Sequence, residues 1–381
     1  MTYFILYTII APLLCYFCYR YCKRKYIPFL FLAIISAIRY DTTSDYHNYV
    51  REFYSVLSGE LLTDKQLSEF GYIYLNKLFG FSEWGFIGIF ALASSFIYLS
   101  FYNYFKKEQI LCLGVYLFLC FECATNFDNI IRQGIAIAIF NFAVFFFWQK
   151  RYLYAITLCL VAPVFHTSAY VLGIFFPMLF LLKKMILPKR EMIIGVVIVF
   201  LLYFSGIFDE VRERFFTTSF MINSVYGDYT DVEFSKNHIG VAFMIKAFVC
   251  LMPLSIVNKT NDSFKILCIN MSWVSIILGV VFAGIPFFYR INYYLTIFNI
   301  LSVSFCISYY FKRKRVVSYG MLFFVYVLLI NHVSFYYGFN SIYRTVFSSN
   351  CKEHRFYVRQ TFEDVQTDRF DKDRNHYYIM R

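Results

Sequence analysis

Long apolar stretches follow one another along almost the whole chain, and charge is confined to short clusters between them. A water-soluble core could not enclose so much hydrocarbon. Lipid is the solvent this chain is built for, with 60% hydrophobic residues against 16% charged and a mean hydropathy of +0.56. Within a bilayer each backbone N–H and C=O must be satisfied inside its own segment, which leaves helices. The expected fold is therefore all-α, a polytopic transmembrane helix bundle of about twelve helices with long outer loops. It occupies residues 1–337, and a charged polar tail follows at 338–381. No separate soluble domain fits, so any chemistry must be assembled from helix ends and connecting loops.

The apolar stretches run over residues 3–19, 27–38, 84–105, 110–125, 130–148, 152–165, 169–182, 192–208, 239–257, 266–283, 291–311 and 316–337. Those at 27–38, 152–165 and 169–182 fall short of the roughly 20 residues that cross a bilayer. The last two read together as a hairpin with His166 near its tip. Charges that follow the first stretch instead of preceding it argue for a retained helix over a cleaved signal.

Basic residues cluster in alternate connections: Arg20 to Lys25, Lys106–Lys107, Lys150–Arg151, Lys183 to Arg190, Lys259 with Lys265, and Lys312 to Arg315. The positive-inside rule makes these cytoplasmic and puts the N-terminus outside. The formal net charge of +12 then marks a membrane face turned to anionic lipid, with no nucleic acid implied. Two outer loops are long, at 39–83 and 209–238, and their aromatic content favours ordered caps over a cavity. Within the first, 46–57 has the pattern of an amphipathic helix lying on the membrane surface. Eleven cysteines without regular spacing read as small buried hydrophobes, and neither a metal nor another cofactor is implied.

Against this background three arginines stand out: Arg39, Arg132 and Arg290, each at the outer end of an apolar stretch. Snorkelling to water explains such a residue singly. An anionic headgroup held at the outer face explains all three, since guanidinium forks match phosphate oxygens. Asp45 lies close enough to fold back over Arg39, or else caps the next helix. Arg132 and Gln133 sit one turn inside a helix whose N-terminus already favours anions; an i,i+4 salt bridge to Asp128 is the plainer alternative. His166 is a lone histidine without metal-ligand spacing, either a hydrogen-bonded structural group or a base. Lys246 falls in the middle of its stretch, where an unpaired ammonium is costly, so it should face the interior.

At these residues the chain resembles the EpsG family of bacterial exopolysaccharide polymerases, relatives of the Wzy-type O-antigen polymerases. The match runs through Arg39, Asp45, Tyr46 and Tyr49, with Thr43 in place of the usual Gly. It continues through Glu69, Gly71 and Tyr72, then Arg132, Gln133 and Ala136, then Phe165, His166 and Ser168, and ends at Arg290, Tyr293 and Tyr294. The resemblance implies a glycosyltransferase that uses no nucleotide sugar. It moves a glycan from undecaprenyl diphosphate to another lipid-linked repeat unit, at the periplasmic or outer face of the inner membrane. On that reading Arg39, Glu69, Arg132, Gln133, Arg290 and Tyr294 bind substrate, and His166 or Asp45 takes the acceptor proton. The implied partners are the lipid-linked oligosaccharide, membrane lipids, a chain-length regulator and a flippase. A flippase for the same lipid and an O-antigen ligase are the competing readings.

Overall fold

The computed structural model describes residues 3–40, 45–58, 68–108, 110–121, 123–184, 188–208, 210, 239–283 and 290–336. Among them there is no strand, and the chain is all-helical. A π-helical turn at Ile5–Ile10 leads into α1 (Ala11–Tyr21), and α2 follows at Ile27–Ala37. The connection between α2 and the next long helix carries α3 (Tyr46–Ser58) and α4 (Phe70–Phe79). Then come α5 (Gly85–Lys107), α6 (Leu111–Cys120), α7 (Cys123–Asn129) and α8 (Ile131–Trp148). The hairpin is α9 (Tyr152–Val161) and α10 (Leu172–Lys184), joined by 3-10 turns at Ala162–Val164 and Thr167–Val171. The chain continues through α11 (Lys189–Phe204), α12 (Val241–Leu251), α13 (Ser263–Val281), α14 (Thr296–Phe311) and α15 (Arg315–Tyr336).

Every apolar stretch read from the sequence forms helix among its described residues, but the count of about twelve spans is not confirmed. Among the described residues six helices are long and apolar enough to cross a membrane: Gly85–Lys107, Ile131–Trp148, Val241–Lys259, Ser263–Val281, Arg290–Phe311 and Arg315–Ser334. A seventh arises if α6 and α7, bent by 60° at their junction, are one broken span. Ile5–Tyr21, Ile27–Ala37, Tyr152–Val164 and Thr167–Lys183 are apolar but shorter. Several helices, multi-pass in character, thus make a membrane protein, with part-length helices packed among full-length ones.

Burial sorts the long helices. The window in Arg290–Phe311 is 78% buried and those in α8 and α13 are 72% buried, whereas those in Val241–Lys259 and α15 are only 39% buried. The well-buried helices form the centre. Close approach there depends on small side chains: a Cβ added at Gly134 of α8 would come within 2.7 Å of Ile97 on α5. Ala136, Ala138 and Ala143, all fully buried, extend the same thin helix. The ten described cysteines are free thiols, eight of them buried, as expected of small hydrophobes. Cys351, the loop at 209 and 211–238, and the tail at 338–381 lie outside the described residues.

The stretch at 46–57 is a helix, yet it does not spend its aromatic face on lipid. Tyr46 meets Phe90 at 5.2 Å between ring centroids and Phe53 meets Phe86 at 6.0 Å, so α3 docks on α5. The described part of this loop packs as a cap, bringing α3 and α4 beside the end of α2 that carries Arg39 and the end of α8 that carries Arg132.

Candidate functional site

Arg39 follows α2 and points inward, with only 1% of its side chain exposed. Its Nη1 pairs with Asp128 Oδ1 at 3.2 Å and donates to Ser94 Oγ at 2.8 Å and to the Ser36 carbonyl. Nη2 reaches the Asp128 carbonyl at 3.3 Å, and the guanidinium lies over the Phe90 ring. Ser36 Oγ donates to the same Asp128 carboxylate. A buried cation demands such a cage, because removing the partner would leave a charge stranded in low dielectric. Asp128 therefore serves Arg39, not Arg132. The helix breaks at Ile130, between α7 and α8, so Asp128 and Arg132 never share the turn that an i,i+4 pair requires.

Arg132, the second residue of α8, takes its carboxylates from the cap. Nη1 lies 3.3 Å from Glu52 Oε1 of α3 and 2.9 Å from Glu69 Oε2. The guanidinium also sits 5.8 Å from the Tyr49 ring centroid and 5.7 Å from that of Tyr72. Burial pushes the Tyr49 phenol up to about 12, against the pull of Arg132, and Arg290 pulls in the same sense. Burial likewise raises Tyr72 well above the usual range, opposed by Arg132 and Arg39. Both phenols stay protonated near neutral pH and are excluded as bases. Arg132 is thus the guanidinium packed on this tyrosine pair, whereas Arg39 packs on Phe90.

Glu69 links this cluster to the hairpin tip. Its Oε1 accepts from the Thr167 backbone N–H at 3.0 Å and from Thr167 Oγ1 at 3.2 Å, capping the turn that follows His166. The backbone allows this because Gly71 lets α4 press on the tip: a Cβ there would lie 2.7 Å from Val164 Cγ1 and 3.0 Å from the Val164 carbonyl. His166 Nδ1 accepts the Ser168 N–H at 3.1 Å and stands 3.9 Å from Glu69 Oε1. With Nδ1 accepting, the neutral imidazole carries its proton on Nε2. Ser168 Oγ in turn bonds the buried Tyr294 hydroxyl at 3.0 Å.

Gln133 and Arg290 close the ring. Gln133 Nε2 donates to the Arg290 carbonyl at 2.9 Å, fixing where the 3-10 turn Arg290–Leu295 begins. Among the described residues the Arg290 guanidinium makes no ion pair or side-chain hydrogen bond, and its residue is partly exposed. Asp45 is placed by its backbone N–H, which donates to Asn129 Oδ1 at 2.9 Å. All eight residues expected from the sequence therefore lie in one contiguous region, though with unequal freedom. Arg39 is locked away, Arg132 is partly engaged, and Arg290 is available.

A family match decides what kind of protein carries this cluster: the EpsG family model matches residues 25–345. The chain belongs to the EpsG family. EpsG is a polysaccharide polymerase-like family, and the matched residues include every member of the cluster. Neither the curated proteins nor the solved structures compared with the chain gave a match. Two residues that the cluster depends on were not expected from the sequence. Asp128 enters the sequence reading only as an i,i+4 alternative for Arg132, and Glu52, mid-helix in α3, carries no local motif. The spacing Tyr49, Glu52, Phe53 and Val56 places Glu52 on the buried face of that helix, which is the one signal it leaves.

Proposed function

We propose that this EpsG-family protein is a polysaccharide polymerase, for O-antigen, capsule or exopolysaccharide. It joins undecaprenyl-diphosphate-linked repeat units at the periplasmic or outer face of the bacterial inner membrane. The observation that carries the reading is Arg290, a guanidinium without a carboxylate among the described residues. Its backbone is tied to Gln133, the neighbour of Arg132, in a region otherwise built of ion pairs. A site with an uncommitted cation beside a half-committed one suits a diphosphate.

The reaction is a glycosyl transfer. The acceptor sugar's hydroxyl attacks the anomeric carbon of the donor glycan, the bond from that carbon to the phosphate oxygen breaks, and undecaprenyl diphosphate leaves. Negative charge grows on the leaving oxygen, and preorganised guanidinium groups stabilise it more in the transition state than in the ground state. Arg290 and Arg132 take that role. The acceptor proton needs a base, and Asp45 suits it better than His166, whose Nδ1 is held by the Ser168 N–H. His166 then offers Nε2–H to a substrate oxygen. Arg39 has a scaffolding part, holding α2 to the α7–α8 junction. Gln133, Glu69 and Tyr294 position the loops that carry the reacting groups.

A flippase for the same lipid is the second reading, and Lys246 is what favours it: a partly buried ammonium in the middle of α12. A translocation path needs cations along its length, whereas the cluster lies at one level. A deletion strain separates the readings. Loss of the polymerase leaves surface lipid A bearing single repeat units; loss of a flippase or ligase leaves none. In the same strain Arg290→Ala should abolish long chains at normal protein abundance, since removing one such donor costs about 2.7–4 kcal/mol of barrier, or roughly 10²–10³ in rate. Wild-type chain lengths in that variant would refute the diphosphate site.

A further inference from the structure

We propose that Asn292 is a positioning residue for Arg290: by clamping onto Ser275 of α13 it fixes the turn from which that guanidinium extends. This rests on the polymerase reading and adds to it a residue, with its own seat in α13, that acts on the reaction through Arg290.

Three observations carry it. The first is that the clamp has two points. Asn292 Oδ1 accepts from Ser275 Oγ at 2.7 Å, and Nδ2 donates to the Ser275 carbonyl at 3.0 Å. A carboxamide that spends its acceptor and a donor on one residue is fixed in rotation as well as in distance. The buried Ser275 is itself oriented, because its Oγ accepts from Asn299 Nδ2 at 2.9 Å. With that lone pair occupied, the single hydroxyl proton is directed to Asn292.

The second observation is that α13 is shaped to receive the carboxamide. Gly279 lies one turn beyond Ser275 on the same face. A Cβ there would stand 3.1 Å from Asn292 Nδ2 and 2.7 Å from Phe243 Cε2 of α12. Glycine leaves room for the amide to reach the helix backbone, and Phe243 packs over the same spot.

The third is where the clamp sits. The turn Arg290–Leu295 is tied to three elements: to α8 by Gln133 Nε2 on the Arg290 carbonyl, to α13 by Asn292, and to the hairpin tip by Ser168 Oγ on the Tyr294 hydroxyl. The Gln133 bond pins a point, about which a backbone can still pivot. Asn292, two residues further on, removes the pivot. Among the described residues no ion pair aims the Arg290 side chain, so the backbone under it must. Stabilising a leaving diphosphate depends on donors that are in place before the charge develops.

The test is a double-mutant cycle on the full chain in lipid nanodiscs, alongside thermal midpoints. Turnover is measured on the lipid-linked repeat unit that a polymerase-deletion strain accumulates. Asn292→Ala should lower kcat about tenfold while KM stays nearly level. The Asn292→Ala/Arg290→Ala double variant should be no slower than Arg290→Ala alone, because Asn292 acts through that guanidinium. Losses that multiply in the double variant overturn the assignment and mark Asn292 as a general tie between the turn and α13. Wild-type kcat in an Asn292→Ala protein of normal thermal midpoint overturns it equally. If Asn292→Ala does not fold, Ser275→Ala, which keeps the carbonyl contact and removes the hydroxyl one, decides. It should show a smaller loss of kcat that disappears in the Arg290→Ala background; no loss, or a loss that multiplies, has the same adverse meaning. Undiminished turnover in Arg290→Ala sinks the diphosphate reading itself, whereas a loss there without one in Asn292→Ala sinks only the role of Asn292.

Discussion

A single hydrogen bond decides what His166 can do. The Ser168 N–H points at Nδ1, so the ring reaches the site as an Nε2–H donor, with its other lone pair already spent. A glutamine keeps an N–H near the Nε2 position but has no proton to exchange near neutral pH. His166→Gln should therefore retain a substantial part of the polymerase activity while His166→Ala loses it, measured as chain length in cells and rate in nanodiscs. Equal loss in both variants would return the base role to His166. Legibility at this scale was uneven. His166, Arg132 and Arg290 stood out in the sequence because polar groups at the ends of apolar stretches are conspicuous. Their partners did not. Asp128 looked like the i,i+4 partner of Arg132, and only the break at Ile130 shows that it belongs to Arg39. Glu52 was silent because a glutamate in an outer-loop helix is unremarkable until tertiary packing buries it, here to 8% exposure.

Between residues and whole chain lie the contacts that make a site from helix ends. The tightest is where α4 meets the hairpin tip at Gly71. A valine there collides with Val164 and its carbonyl, which forces α4 outward and draws Glu69 away from Thr167. Gly71→Val should then loosen the His166 turn and lower kcat while leaving the helical core intact, read as reduced turnover with little change in far-ultraviolet circular dichroism. Unaltered turnover would show that the Glu69 cap is dispensable. Element positions were largely readable in advance, since every apolar stretch became a helix and the 46–57 pattern became α3. The destination of α3 was not. An amphipathic pattern says that one face must be covered and leaves open whether lipid or protein covers it; here Phe86 and Phe90 of α5 do so.

At the scale of the molecule, the described residues include six helices of spanning length and a set of shorter ones. Hydropathy located both kinds but counted them alike, because a window average senses how apolar a segment is more readily than how far it reaches. The alternation of basic clusters makes a separate prediction of orientation. Reporter domains inserted after Lys150, between α8 and α9, should be cytoplasmic, and reporters at Ser82, between α4 and α5, should be external. The reverse result would place the arginine cluster on the face where lipid-linked units are built instead of where they are joined.

The part-length helix α2 has a bearing on the lipid as well as on the protein. Its eleven residues rise about 16 Å, close to half of the ~30 Å hydrocarbon thickness. On the proposed orientation, with α2 starting at the cytoplasmic interface, Arg39 and the groups caged around it would rest below the plane where headgroups normally lie. On that placement a membrane around such a short wall would pinch inward, and the proposed polyprenyl substrate would deliver its phosphates sideways without being hauled up to the water. Turnover should accordingly decline in reconstituted bilayers of progressively longer acyl chains, by a cost that accumulates at fractions of a kcal/mol per ångström of mismatch.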